Sequence, residues 1–322
     1  MSSASDALPV RRVCDVAPRR DEERWLVHSL WLRSAVGVVG GLPKCFKTWF
    51  AIELSWAVAS GQPALGRFEV EQRGPVLVFL AEDDPPSMRA RFDAVAKARG
   101  TDLASLPISF IDVATLLLDD AAQLARLRRT IEAQRPRLLI LDPFVRLVRR
   151  VDENSAGEVS AVLGELRRIQ RDFDVAVVLV HHMRKARSAH PGQQLRGSGD
   201  FAAWCDSAVY LTRREQARMV TVEHRSAASP DPFRVQLVIE PHLHLELDVA
   251  RGPIIASPPA ADGELERAML ELIQVRGPCS TVALRETLRV RKTTLVALLR
   301  ALEERGQVVR TGEGWALGGG AR

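Results

Sequence analysis

The sequence predicts an α/β fold: a mostly parallel sheet with antiparallel edge strands, followed by a small domain of helices and a hairpin. Three observations lead to this prediction. Short apolar segments alternate with helical segments between residues 35 and 180, a pattern typical of parallel strands buried on both faces. Closely spaced strand-like segments then follow between residues 208 and 247. A segment rich in Pro, Gly and Ala, residues 251–263, separates them from the C-terminal end.

Apolar spacing, together with start and stop residues, predicts the type and bounds of each element along the chain. Residues 1–24 are polar and basic without periodicity, so they are predicted to be a flexible tail. The α/β domain is predicted over residues 25–250. Its strands and helices alternate as strand 35–40, helix 48–60, strand 75–80, helix 87–99, strand 108–111, helix 120–134, strand 138–142, helix 157–173 and strand 175–180. The predicted antiparallel strands are 208–212, 219–223, 234–240 and 244–247.

Composition narrows the class of protein. Hydrophobic residues make up 46% of the 322 residues, which is enough for a buried core, and the length fits two domains. The formal net charge of +5 is compatible with nucleic-acid binding but does not establish it. No apolar run approaches the ~18 residues that span a bilayer, and the N-terminus lacks a secretory signal pattern. Four cysteines without a CxxC pair argue against a disulfide framework or zinc site and favour a cytoplasmic location; they are Cys14, Cys45, Cys205 and Cys279.

One segment has the pattern of a phosphate-binding loop. It reads G-L-P-K-C-F-K-T, follows a predicted strand and opens a predicted helix. In such a loop the backbone N–H groups cradle the phosphates of ATP, Lys47 reaches the β- and γ-phosphates, and the Thr48 hydroxyl binds Mg²⁺. The predicted nucleotide-binding residues are Gly41, Leu42, Pro43, Lys44, Cys45, Phe46, Lys47, Thr48 and Trp49.

The loop departs from the usual pattern at one position. The pattern G-x-x-x-x-G-K-[ST] has glycine where this chain has Phe46. The side chain could crowd the phosphate path or point away from it. A strand–turn–helix without a nucleotide, or a site that binds without hydrolysing, remains an alternative.

Two carboxylates stand where such a site needs them. Asp142 ends a buried apolar strand and is predicted to hold Mg²⁺, although an Asp before Pro143 also suits a simple turn. Glu82 follows another strand and is predicted to be the general base that polarises the attacking water. The alternative is that the acidic triplet, with Asp83 and Asp84, caps the next helix.

Two histidines end the strand that follows the Asp142 strand. Successive strand residues face opposite sides, so at most one of His181 and His182 faces the phosphate site. His181 is the preferred candidate for a sensor of the γ-phosphate. A buried, hydrogen-bonded histidine is the alternative for each.

The motifs together resemble the RecA-like superfamily, and within it the hexameric replicative helicase ATPases of plasmid RepA type and their relatives in mobile elements. The resemblance covers residues 25–247, and its motifs are GLPKCFKTW, LVFLAEDDP, LLILDPF, LVHH and QLRGSGDFAAWCDSAVYL. It implies a hexameric ring with ATP bound at subunit interfaces. Under it, Lys47, Thr48, Glu82, Asp142 and one of the two histidines match functional positions of the family.

The resemblance also implies an arginine finger supplied to the neighbouring subunit. Arg196, within L-R-G-S-G, matches its position in RepA-type proteins. DnaB-type relatives carry the finger in a K-x-R segment, which here reads Glu223-His224-Arg225 and lacks the lysine. Arg225 is therefore the second candidate, and a solvated surface charge is the alternative for both. The nearby residues 190–199 are predicted to form a central loop of the ring.

The C-terminal segment, residues 264–322, predicts three helices and a hairpin that resemble a winged helix-turn-helix. Apolar spacing indicates helices over residues 264–275, from about 280 and over 292–305, and strands 307–310 and 314–317 form the hairpin. The second helix of a helix-turn-helix enters the major groove of DNA. The predicted DNA-binding residues are Arg291, Lys292, Thr293, Thr294 and Arg310. A protein-interaction domain of the same fold is the alternative.

The leading hypothesis is a hexameric, ATP-hydrolysing replicative helicase or helicase loader of a mobile element, with DNA as partner and ATP and Mg²⁺ as cofactors. A regulatory DNA-binding protein that uses ATP as a switch, without helicase activity, is the alternative. A structural ring or adaptor with an inactive site is a third possibility, which Phe46 favours.

Overall fold

The computed structural model describes residues 10–18, 20–152, 155–183, 195, 199–214, 217–248, 260–288, 292–311 and 314–318. The chain divides into two compact units, Met1–Pro253 and Ile254–Arg322. Among the described residues, no helix has the length and apolar character that crossing a membrane requires.

The first unit contains eleven named strands and five α-helices within its described residues. The strands are β1 (Trp25–Val27), β2 (Trp31–Leu32), β3 (Val36–Gly41), β4 (Val76–Leu80), β5 (Ile108–Phe110), β6 (Leu138–Asp142), β7 (Ala176–His182), β8 (Ser207–Arg214), β9 (Ala217–His224), β10 (Phe233–Val238) and β11 (His244–Leu247). The helices are α1 (Lys47–Ser60), α2 (Pro85–Ala98), α3 (Ala121–Gln134), α4 (Ala156–Phe173) and α5 (Asp200–Trp204).

The central sheet has the predicted mixed character. Its order over the described residues is β11-β10-β9-β8-β3-β7-β6-β4-β5. The six strands from β8 to β5 run parallel, and β9, β10 and β11 extend one edge as an antiparallel meander. The sequence prediction of a mostly parallel sheet with antiparallel edge strands is confirmed.

The two faces of the sheet carry separate cores. Alternate residues of β7 point to opposite faces, and Val178 and Val180 pack with α1 and α2 in one core. Val177 and Leu179 pack with α3 and α4 in the other core. Since both faces are covered, the strands are continuously apolar rather than alternating.

Glycine at the end of β3 allows the sheet and the following loop to approach closely. A Cβ at Gly41 would lie 2.7 Å from the Leu211 carbonyl oxygen of β8 and 3.3 Å from Cγ of Lys47. A side chain there would displace one or the other, so this glycine places the start of the loop directly beside β8.

The second unit consists of three helices and a hairpin over its described residues. They are α6 (Ala260–Arg276), α7 (Thr281–Leu288), α8 (Lys292–Glu304), β12 (Val308–Thr311) and β13 (Gly314–Leu317). The helices and the hairpin share one small core, which includes Met269, Leu284, Leu299 and Val308. Ser280 caps α7, because its hydroxyl oxygen accepts a hydrogen bond from the Ala283 backbone at 3.2 Å.

Several segments differ from the sequence prediction. Helix α6 begins at Ala260, inside the predicted linker 251–263, whose first nine residues lie outside the described part. The predicted tail has short 3-10 helices at Val13–Asp15 and Glu22–Arg24, and its residues 1–9 also lie outside the description. The pair β1–β2 and the short helix α5 were not predicted as elements.

Candidate functional site

The loop between β3 and α1 contains two residues in the left-handed backbone region and leads into an uncapped helix N-terminus. Lys44 and Phe46 both have positive φ, 62° and 68°, and Phe46 precedes the first residue of α1. No side chain caps this helix N-terminus, so its first N–H groups are available to an anion, which the helix dipole also favours.

Lys47 is held inside the loop. Its side chain is buried, and Nζ donates a hydrogen bond to the Leu42 carbonyl oxygen at 3.0 Å. Burial lowers the pKa of Lys47, and the neighbouring Asp142 carboxylate partly offsets this effect. The ammonium group is therefore held beside the first residues of the loop.

Thr48 and Asp142 are brought together beneath the loop. The Thr48 hydroxyl donates a hydrogen bond to Oδ2 of Asp142 at 2.7 Å. Asp142 is the last residue of β6, and burial raises its pKa to about 6, while the Thr48 hydrogen bond and Lys47 act in the opposite direction. A hydroxyl and a carboxylate oxygen are hard ligands of the kind that Mg²⁺ prefers, so these two residues fit the predicted metal site.

The Phe46 ring lies beside the meander. The guanidinium carbon of Arg218, on β9, lies 5.0 Å from the ring centroid. The ring also packs against the core that contains α1. The side chain is therefore directed to β9 and packs in the core beside α1.

The last residue of the predicted loop also stacks on an arginine. The Trp49 ring lies 5.6 Å from the guanidinium carbon of Arg91 on α2. Arg91 in turn forms an ion pair with Asp83 at 2.9 Å. These contacts connect the start of α1 to the segment that follows β4.

The three acids after β4 have separate roles in the fold. Asp84 caps α2 through the Ser87 backbone at 2.7 Å, and this hydrogen bond lowers the pKa of Asp84. Asp83 pairs with Arg91, and burial raises the pKa of Asp83. Glu82 does not cap the helix; its carboxylate forms an ion pair with Arg146 at 3.2 Å. The capping alternative therefore holds for Asp84, whereas Glu82 and Asp83 form ion pairs instead.

A cavity adjoins Glu82 at the carboxyl end of β4. One lining residue, Arg146, lies four residues after the end of β6. It was not singled out from the sequence, although a basic residue so close to the end of that strand was a usable signal. The cavity is lined by Phe79, Ala81, Glu82, Ala114, Thr115 and Arg146. Because Glu82 lies at its wall, the carboxylate is in contact with space that water or a phosphate oxygen could enter.

The structure separates the two histidines at the end of β7. His181 is buried, stacked on Phe201 at 4.2 Å and in an edge contact with Phe144 at 5.6 Å. These rings belong to the core on the face opposite α1. Strand alternation directs His182, which is partly exposed, toward the α1 face. The preference for His181 over His182 is therefore not supported by its surroundings.

Of the two residues predicted as arginine fingers, the structure describes Arg225 but not Arg196. Arg196 lies outside the described residues, as does most of the predicted central loop 190–199. Arg225 forms an ion pair with Asp206 of its own chain at 3.7 Å and donates to the Ala203 carbonyl oxygen. The Arg225 side chain therefore already contributes to internal structure.

The predicted DNA-binding residues are only partly described. Arg310 is exposed on β12, opposite Trp315 of β13. Lys292, Thr293 and Thr294 form the first turn of α8, but their side chains lie outside the described part, and Arg291 lies outside it entirely.

Comparison with known protein families finds a match within the first unit. A family described as AAA domain matches residues 4–188, which is more than half of the chain. No curated protein sequence matches. Among solved structures, the ATPase domain of G40P is 14% identical, with 64% of this chain and 82% of that chain covered and a TM-score of 0.48. The KaiC-like protein PH0186 from the hyperthermophilic archaeon Pyrococcus horikoshii OT3 is 18% identical, with 74% and 99% covered and a TM-score of 0.47.

The family match and the site agree with each other. The matched residues include the loop before α1, the acid at the end of β6 and the segment after β4. The mixed, mostly parallel sheet flanked by helices is the α/β fold that the sequence predicts. The chain therefore belongs to the AAA domain family and is a P-loop ATPase.

Proposed function

We propose that this chain is an ATP-driven motor on DNA, a ring-shaped replicative helicase or helicase loader of a mobile element, similar to the plasmid RepA type. The observation that carries the ATP-dependent part is the hydrogen bond between Thr48 and Asp142 at 2.7 Å beneath the loop that holds Lys47. It joins the phosphate loop to the acid of another strand, as phosphoryl transfer requires. A cytoplasmic location is part of the proposal.

Within the site, each side chain receives one role. Lys47 would contact the β- and γ-phosphates, and Thr48 and Asp142 would hold Mg²⁺, which would neutralise phosphate charge. Glu82 is the general base for the attacking water. His182 replaces His181 as the residue that senses the γ-phosphate, because it shares the face of the sheet with α1.

A neighbouring subunit completes the site in this proposal. Arg196 is the finger that stabilises transition-state charge in a hexameric ring. Arg225 is the weaker candidate, since its guanidinium is paired with Asp206 within the same chain. Movement of the predicted loop 190–199 would then couple hydrolysis to DNA in the ring.

The second unit is proposed to bind duplex DNA as a winged helix. Support comes from its three helices and hairpin, which share one core, and from the exposed Arg310 on that hairpin. The start of α8, with Lys292, Thr293 and Thr294, would enter the major groove, where hydroxyl and ammonium groups contact phosphates and base edges.

A switch without helicase activity is the second candidate function. The ion pair between Glu82 and Arg146 favours it, because one carboxylate oxygen of the proposed base is occupied at 3.2 Å. Both side chains are more than half exposed, at 55% and 62%, so the pair is weak and can open. Glu82 can act as the general base only while this pair is open.

A DNA-stimulated ATPase assay separates the two candidates. The wild-type chain should hydrolyse ATP faster with DNA and unwind a forked duplex, while the Lys47→Ala variant should do neither. Turnover without strand separation would support the switch. Arg196→Ala should abolish hydrolysis and spare ATP binding; retained hydrolysis would transfer the finger role to Arg225.

A further inference from the structure

Residue 46 has a backbone conformation that side chains rarely adopt. Phe46 has φ 68° and ψ 24°, in the left-handed region. Its carbonyl accepts the first hydrogen bond of α1, from the Phe50 backbone at 2.9 Å. Glycine enters this region without steric cost, whereas a residue with a Cβ does not. Something must therefore hold Phe46 in the conformation that joins the loop to the helix.

The hairpin β8–β9 brings an arginine to this residue. Gly41 pairs with Leu211 at the end of β3, and β8 continues past that point to Arg213, which pairs with Arg218 on β9. The extension places Arg218 beside the loop, with its guanidinium carbon 5.0 Å from the centroid of the Phe46 ring. This distance is within the range of a cation–π contact.

Among the described residues, the side chain of Arg218 makes its contact with the ring of Phe46. The Nε atom of Arg218 is buried and has no hydrogen-bond partner among the described residues. A hydrogen bond through Nε therefore does not account for the position of the Arg218 side chain. The stacking on Phe46 is the interaction that the position provides.

We propose that Arg218 is a positioning residue for the phosphate loop. Its stacking holds the Phe46 ring toward β9, outside the phosphate path, and keeps residue 46 in the left-handed conformation. That conformation aims the N–H groups of Lys47 and Thr48 into the loop. The inference rests on the proposed nucleotide site, and it explains how a loop with phenylalanine in the glycine position remains able to bind phosphate.

The proposal predicts that Arg218 acts only through Phe46. In the full chain, Arg218→Ala should weaken ATP binding in the presence of Mg²⁺ by roughly three- to tenfold, the range expected from loss of one cation–π contact. In a Phe46→Gly background the same change should alter the affinity by less than about twofold, because glycine needs no support. KM should rise in the single variant while kcat is unchanged, since no reacting atom is contacted.

Titration calorimetry with ATP measures the affinities of four proteins that form a double-mutant cycle. They are the wild type, Arg218→Ala, Phe46→Gly and the variant with both changes. Arg67→Ala is the matched control, because Arg67 stacks on Phe68 at 5.1 Å beyond the C-terminal end of α1. This control should bind ATP as the wild type does. Arg218→Lys should retain most of the affinity, and Arg218→Gln replaces the alanine variant if the latter unfolds.

An equal loss of affinity in both backgrounds would overturn the inference, because Arg218 would then contact nucleotide directly or act on the fold as a whole. An unchanged affinity of Arg218→Ala in the wild-type background would also overturn it. Failure of the wild-type chain to bind ATP is a different result, which removes the proposed nucleotide site itself.

Discussion

At the scale of single residues, Asp142 carries a conflict between stability and function. The residue is 6% exposed, and burial raises the pKa of its carboxyl group to about 6, above the ordinary 3.8. A raised pKa in the folded state means that the folded chain binds the proton more tightly than the unfolded chain. Stability from this group is therefore greatest below pH 4 and is lost as the pH rises toward 6.

Replacing Asp142 with Asn should remove this conflict. At pH 7 the variant should gain about 2–3 kcal/mol in unfolding free energy, since each pKa unit corresponds to about 1.4 kcal/mol, while Mg²⁺-dependent hydrolysis is lost. Denaturant unfolding between pH 4 and pH 8 measures the unfolding free energy of the wild type and of the variant. If wild type and variant lose stability with the same slope over this range, another group is responsible.

Glu82 and Asp84 are separated by one residue but have different expected roles. Glu82→Gln should lower kcat by about 10²- to 10⁴-fold, the usual contribution of a general base, without weakening ATP binding. Asp84→Ala is the control within the same segment; it should lower the stability of the fold by loss of the α2 cap and leave kcat unchanged. Single-turnover hydrolysis measures the rates, and a Glu82→Gln enzyme that hydrolyses normally would exclude this residue as the base.

Sequence patterns are informative at the residue level where the residues concerned are contiguous in the chain. The residues from Gly41 to Thr48 were recognisable because the loop, its preceding strand and its helix are contiguous in sequence. The direction of the Phe46 ring was not predictable, because it depends on Arg218, which sequence spacing does not connect to the loop. Likewise, only packing distinguishes His181, enclosed by Phe144 and Phe201, from His182.

At the scale of elements, one buried ion pair connects three of them. Glu53 of α1 is 1% exposed and accepts hydrogen bonds from Arg99 at 2.7 Å and from the Leu65 backbone at 2.8 Å. Arg99, directly after α2, also donates to the Leu245 carbonyl oxygen of β11 at 2.8 Å. The pair therefore fastens α1, whose first turn forms the phosphate site, to α2 and to the edge of the sheet.

Breaking this pair should destabilise the fold. Arg99→Met leaves Glu53 buried without its cation, so the unfolding free energy at pH 7 should fall by about 3–5 kcal/mol. Burial already raises the pKa of Glu53, and the loss should be smaller at pH 5, where the carboxyl can protonate. Arg128→Met, at the partly exposed pair with Asp172, is the control and should cost under about 1 kcal/mol. Equal losses for the two variants would contradict this account.

The bounds of the elements show where sequence patterns are informative. Strands β3, β4, β6 and β7 were predicted within two residues because continuous apolar runs between helical segments leave few alternatives. The start of α6 was missed because a segment rich in Pro, Gly and Ala has the composition of a linker, although its alanines also favour a helix. Short elements such as β2 and α5 depend on their neighbours in space and have too few residues to show a period.

At the scale of the whole molecule, the chain combines two units with separate cores. Removing residues 254–322 should leave ATP hydrolysis without DNA unchanged and weaken duplex binding by at least about tenfold, because the proposed DNA contacts lie in the removed unit. Fluorescence anisotropy over a range of salt concentrations measures the affinity, and the salt slope should fall as phosphate contacts are lost. Equal affinity of the two forms would reject the winged-helix proposal.

The central claim is that the loop between β3 and α1 binds the phosphates of ATP for hydrolysis assisted by acids from adjoining strands. The most direct measurement is Mg²⁺-dependent release of phosphate from ATP by the full chain, with Lys47→Ala in parallel and ATP binding followed by calorimetry. The account predicts turnover by the wild type and at least about a hundredfold loss in the variant, as expected when a preorganised charge contact to the phosphates is removed. A wild-type chain that neither binds nor hydrolyses ATP, or a variant as active as the wild type, would contradict it.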